Sequence, residues 1–106
     1  MDLIELLTVA DDFHLQHHGL VVTPDFAPPA GWTDCSQHAL VVVPDGRSFE
    51  TTVRLALWHF NIRDPAVLAE KRWRVVVSFP NLTKEEVPIG SKLMVSRLLK
   101  NSIEGP

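Results

Sequence analysis

Apolar and polar residues alternate with a period of two along much of this chain. From residue 48 to 60, Phe49, Thr51, Val53, Leu55 and Leu57 fall on one side, while Glu50, Thr52, Arg54, Ala56 and Trp58 fall on the other. Such alternation predicts a half-buried strand with the first set facing the core. Apolar residues three and four apart, the mark of a helix, are missing here. A second alternating stretch sets Trp73, Val75, Val77 and Phe79 against Arg72, Arg74, Val76 and Ser78, and ends at Pro80-Asn81. Leu20-Val21-Val22 follows Gly19, and Ala39-Leu40-Val41-Val42-Val43 runs into Pro44-Asp45-Gly46. Proline presets φ and glycine accepts a positive φ, so residues 38–43 and 48–60 are expected to pair as a β-hairpin.

Helix signals are short. Asp64 can cap a single turn over residues 64–70, with Pro65 at its first position. Thr83-Lys84-Glu85-Glu86 has capping-box spacing, and Pro88-Ile89-Gly90 leads to a last strand over residues 92–98. Residues 24–32 carry three prolines and a glycine, but Phe26, Ala27, Ala30 and Trp32 make them too apolar for a free linker. They are expected to form a loop packed on the body of the protein. Residues 1–99 form one domain in this reading, and residues 100–106 a frayed polar tail. Several short strands with Gly and Pro turns predict an all-β fold: a closed, six-stranded, antiparallel Greek-key barrel with one or two helical turns. Closure is favoured because it leaves no unpaired edge.

Composition narrows the functional classes. With 106 residues, 45% of them hydrophobic and 22% charged, the chain is one ordinary globular domain. Cys35 is the single cysteine, so neither an intrachain disulfide nor a cysteine-based zinc knuckle is available. The opening Met1-Asp2-Leu3-Ile4-Glu5 lacks a basic leader, and no apolar run reaches the ~18 residues of a membrane span, so the cytoplasm is the expected compartment. Charge is divided unevenly. Residues 1–46 hold seven acids and no Lys or Arg, and residues 47–106 hold all ten basic residues against six acids. A pI near 5.9 argues against general nucleic-acid binding.

Two separated segments carry a family resemblance. The stretch Val9-Ala10-Asp11-Asp12-Phe13-His14-Leu15-Gln16-His17-His18-Gly19-Leu20-Val21-Val22-Thr23 resembles the opening of the second, β-barrel domain of elongation factor Tu and other translational GTPases. In that family an acidic pair, an aromatic residue, a Gly-Arg-Gly turn and Val-Val-Thr-Gly follow at the same spacing. Arg74-Val75-Val76-Val77-Ser78, continuing through Lys84-Glu85-Glu86-Val87-Pro88-Ile89-Gly90-Ser91-Lys92-Leu93, resembles the closing stretch of the same domain. The resemblance spans residues 5–97 and implies a translation-protein barrel standing alone. It also implies that Asp11, Phe13 and Thr23 match positions lining the aminoacyl pocket, with Arg74 replacing a family asparagine. Departures are clear: His17-His18-Gly19 replaces the Gly-Arg-Gly turn, Pro24 replaces a glycine, and Trp58-His59-Phe60 lacks the acid that contacts the terminal adenosine. No Gly-x-x-x-x-Gly-Lys-Ser/Thr phosphate loop occurs, so GTP binding by this chain is not expected.

Other chemistry is sparse. His14, His17 and His18 are the weak metal candidates; on a continuous strand His14 and His18 share a face and His17 does not. Asp11 and Asp12 are adjacent on a strand and point to opposite sides, which disfavours a shared proton. No nucleophile signature surrounds Cys35. Lys71-Arg72-Trp73-Arg74 interleaves basic residues with an aromatic, but pleating is expected to put Arg72 and Arg74 on the outer face and Trp73 in the core. Trp32, Trp58 and Phe60 are candidates for a protein-binding patch or for simple packing. The sequence thus predicts a non-catalytic interaction module without cofactor or metal, binding a protein or RNA partner on one barrel face. Asp11, Phe13, Thr23, Arg72 and Arg74 are the candidate partner-binding residues. The alternatives are a reduced binder of RNA or the aminoacyl-tRNA end, a small metal-dependent enzyme using His14, His17 and His18, and an oligomerising module.

Overall fold

Seven antiparallel strands and one helix make up the computed structural model, which describes residues 3–16, 18–59 and 73–104. The strands are β1 (Leu3–Thr8), β2 (Asp11–Leu15), β3 (Gly19–Phe26), β4 (Cys35–Val42), β5 (Ser48–His59), β6 (Trp73–Phe79) and β7 (Lys92–Ser96), followed by α1 (Arg97–Glu104). They form one sheet in the order β1-β7-β4-β5-β6-β3-β2. The neighbours β4, β5 and β6 are consecutive, β7 returns to lie beside β4, and β3 lies beside β6, so the connections are of Greek-key type.

The expected closed, six-stranded ring is not what forms. The sheet has seven strands and curls into a half-barrel whose two edges, β1 and β2, do not pair with each other. Yet only Val9 and Ala10 separate those edges in the chain, and the three Cα steps from Thr8 to Asp11 span no more than about 11 Å. The edges therefore meet at one corner. There Val9 N–H donates to Ser91 O (2.8 Å), Gly90 N–H donates to Val9 O (2.8 Å), and Ala10 N–H donates to Thr23 O (2.9 Å). The N-terminal segment supplies both edges because it changes partner at this corner, from β7 to β3. Periodicity shows that a segment is a strand but not which side of it is paired.

The β4–β5 hairpin forms as expected, in continuous register from Cys35↔Leu55 to Val42↔Ser48. Its turn is held by Val43 N–H donating to Arg47 O (2.9 Å) and Gly46 N–H donating to Val43 O (2.9 Å), with Gly46 at φ 97°. The backbone N–H of Arg47 donates to Asp45 Oδ1 (2.9 Å). That bond, reinforced by the Arg47 guanidinium, holds the Asp45 carboxyl below its ordinary range. Val53 and Leu55 are buried and Glu50, Thr52 and Arg54 exposed, as the alternation requires. Trp73, expected in the core, is instead 45% exposed, because it stands at the very start of β6, beyond the buried Val75, Val77 and Phe79.

Leu20, Val22, Val41, Val53, Leu55, Val75, Val77, Phe79, Leu93 and Val95 fill the concave side. Each such side chain contributes roughly 1.5–3 kcal/mol through burial. Leu6 and Leu7 are both buried because the register slips between Glu5 and Leu7, which lets consecutive residues reach the core.

The stretch expected as a last strand and a frayed tail is divided differently. β7 stops at Ser96 and α1 runs from Arg97 to Glu104. Ser96 Oγ accepts from Leu99 N–H (3.2 Å), the geometry of an N-cap. Leu99 and Ile103, four apart, are buried in the core cluster, and Lys100 Nζ donates to the Glu5 carbonyl of β1 (2.9 Å). Residues 24–26, expected as the start of a loop, instead extend β3, and the loop proper, residues 27–34, packs on the sheet as expected. Phe26 and Trp32 lean on the core, and Asp34 Oδ1 accepts from Leu57 N–H (2.9 Å) and Trp32 Nε1 (3.2 Å). Residues 83–86 form the expected turn, with Thr83 N–H donating to Glu86 Oε1 (3.0 Å). The helical turn expected at residues 64–70 lies outside the described residues. Among the described residues, no helix is long and apolar enough to cross a membrane.

Candidate functional site

The convex side of the sheet carries a second apolar cluster, where β2, β3, β6 and β5 lie side by side. Register places it. Phe13 is opposite Val21, Val21 opposite Ser78, and Ser78 opposite Arg54, so these four share a row on the face turned away from the core. Ala56 opposite Val76 belongs to a neighbouring row, and Arg74 opposite Trp58 to the one beyond. Residues on a solvated face should be polar, yet Val21, Val76 and Ala56 are 2%, 3% and 5% exposed. Their cover comes from longer side chains of the same face. The ring of His18 lies 4.8 Å from that of Trp58 at a 55° tilt, folding the β2–β3 turn over the sheet.

The result is a small concavity of about 200 Å³ lined by Phe13, Leu15, Val21, Val22, Thr23, Asp25, Trp58 and Val76. Phe13 remains 38% exposed at its rim. Two of the sequence candidates, Phe13 and Thr23, thus meet in one place. Asp11 sits beside them: it is exposed, it is paired with Thr23 across the strands, and its carbonyl accepts from Thr23 Oγ1 (3.4 Å). Arg74 flanks the same face but is occupied. Its Nε and Nη2 donate to Asp25 Oδ1 at 3.1 and 3.0 Å, and Nη2 also reaches the Asp25 carbonyl (3.4 Å). This half-buried pair neutralises the charge that would otherwise attract phosphate. Arg72 lies outside the described residues.

Leu15, Asp25 and Val76 complete the site and were not singled out from the sequence, whereas Trp58 was named there as a patch candidate with Trp32 and Phe60. A signal exists for Val21 and Val76. Leu20-Val21-Val22 and Val75-Val76-Val77 are continuous apolar runs, and a strand reads that way when both of its faces are covered. Alternation assigned only one member of each pair of neighbours to the core; the unbroken runs mark where the opposite face is covered as well.

The histidines do not converge. His14 is opposite Leu20 and therefore on the core side of β2, whereas His18 lies against Trp58 on the convex side. β2 ends at Leu15, and His18 N–H donates back to Leu15 O (3.1 Å), so no continuous strand carries the two on one face. His17 lies outside the described residues. Among the described residues no group of three or more His, Cys, Asp or Glu side chains is placed to hold a metal. Asp11 and Asp12 point to opposite faces, as pleating requires.

A second concavity, about 520 Å³, lies between the loop of residues 29–33 and α1, with Trp32, Cys35, Gln37, Ser96, Leu99 and Ser102 among its lining residues. Burial pushes the Cys35 thiol up; a hydrogen bond with Gln37 lowers it, and the charge of Asp34 raises it again. A raised thiol is protonated at neutral pH, the opposite of what a nucleophile needs.

No protein-family model, curated protein or solved structure matches this chain.

Proposed function

We propose that this chain is a non-catalytic interaction module that binds a protein partner on the convex face of β2, β3, β6 and β5. The carrying observation is the partly exposed Phe13 at the rim of an apolar concavity that has Trp58 as its other aromatic wall. Aromatic residues beside a well-packed pocket are the usual anchors of protein interfaces, and a rim holding Asp11, Thr23 and the Asp25–Arg74 pair supplies polar contacts that set orientation. In this reading the curled sheet is of the elongation factor Tu domain 2 type, uses the part of that domain's pocket wall that its sequence retains, works in the cytoplasm and binds no GTP through these residues. The pairing of Arg74 with Asp25 favours a protein over RNA or an aminoacyl-tRNA end.

Affinity capture with the intact chain, with Phe13→Ala and with Trp58→Ala tests this. A partner held by the intact chain is expected to bind each variant at least about tenfold more weakly, as for an interface anchor, with the thermal midpoint nearly unchanged. Equal retention by both variants would remove the face from consideration. Binding of tRNA that falls steeply with added salt would put RNA in place of the protein partner.

A further inference from the structure

The convex face is not the only incomplete surface, because β2 is a sheet edge. Its residues pair with β3 on one side, and among the described residues no strand pairs with it on the other. An open edge presents a row of unused backbone donors and acceptors, a template for another strand. Two features make this edge unusual. Phe13, at its centre, is one of the few large apolar side chains left exposed. Asp12, its neighbour on the core side, is only 9% exposed, yet among the described residues its carboxylate has no hydrogen-bond or ion-pair partner. A carboxylate so far removed from water is costly unless it is paired.

We propose that β2 is the edge through which two copies of this chain associate, pairing antiparallel about a two-fold axis at Phe13. The strand reads Asp11-Asp12-Phe13-His14-Leu15. Antiparallel pairing centred on Phe13 sets Phe13 opposite its symmetry mate, Asp12 opposite the second copy's His14, and Asp11 opposite the second copy's Leu15. Every acid then faces a non-acid, and the orphan carboxylate of Asp12 gains an imidazole, twice, by symmetry. Shifting the axis by one residue to Asp12 brings the two Asp12 carboxylates opposite each other, and like charges directly opposite are destabilising. The acids of β2 thus disfavour a neighbouring register rather than forbidding association. The dimer goes beyond the partner-binding reading: it uses the edge and joins the two convex faces into one continuous surface, with Phe13 of each copy at the seam.

Light scattering on the full chain across 5–200 µM tests the proposal. A mass near twice 11.9 kDa that falls to the monomer on dilution is expected. His14→Asp places carboxylates opposite Asp12 and is expected to weaken the dimer at least tenfold with the β-sheet circular dichroism retained. Phe13→Cys in a Cys35→Ser background is expected to form a disulfide-linked dimer on mild oxidation. Trp58→Ala, on the face and not the edge, is expected to dimerise normally, which separates this proposal from the partner-binding one. A monomer at 200 µM overturns the proposal. So does a dimer that His14→Asp leaves intact and Phe13→Cys does not cross-link, since such a dimer uses another surface.

Discussion

At the scale of single residues, backbone geometry separates two glycines that the sequence presents alike. Gly19 opens β3 at φ 80°, and a Cβ added there would lie 2.5 Å from Phe79 O and 2.7 Å from Pro80 Cα, both backbone atoms. Gly46 sits in the β4–β5 turn at φ 97° with nothing within 4 Å of an added Cβ. Both positions carry the left-handed penalty of about 1–2 kcal/mol for a residue with a side chain. Only Gly19 adds a clash that rigid backbone must absorb. Gly19→Ala is therefore expected to destabilise the protein by more than Gly46→Ala, with urea midpoints as the measure. Equal losses would mean that the β3–β6 junction yields more readily than its geometry indicates.

At the scale of elements, α1 shows how an amphipathic segment can pass for a tail. Lys100, Asn101 and Ser102 look polar in a row, but Leu99 and Ile103 stand four apart and enter the core at 6% exposure each. Leu98, one residue earlier, is 82% exposed. Leu99→Ala is expected to cost about 2–5 kcal/mol, as for large-to-small changes in a core, and Leu98→Ala no more than about 0.5 kcal/mol. Thermal or chemical unfolding of the two variants checks the contrast. The spacing of Leu99 and Ile103 was available in the sequence; it went unused because eight residues give only two turns of periodicity, too few to stand out against the strand pattern that precedes them.

At the scale of the whole molecule, stability should be graded across the sheet. β4, β5 and β6 lie between paired neighbours, whereas β1 and β2 are paired on one side and joined only at the Val9–Ala10 corner. Native-state amide exchange is expected to be slowest in β5 and β6 and much faster in β1 and β2. The curl also explains how one chain builds two apolar surfaces. The concave side holds the core, and the convex side of β2, β3, β6 and β5 holds the smaller cluster around Phe13 and Trp58.

Strands β3 to β7, the β4–β5 hairpin, the Thr83–Glu86 turn and the identity of most core residues were determined by local pattern, because pleating and turn chemistry act over a few neighbours; β1 left no such mark and was not expected. Phe13 and Thr23, named together on a family likeness rather than on spacing, line one concavity. The open curl, the two edges supplied by a single bent segment, the opposite faces of His14 and His18, and the capture of Arg74 by Asp25 were decided only by the tertiary structure. Each depends on which strands become neighbours. That choice joins residues as far apart as Asp25 and Arg74, and it is made by the burial of the whole sheet rather than by any short stretch of it.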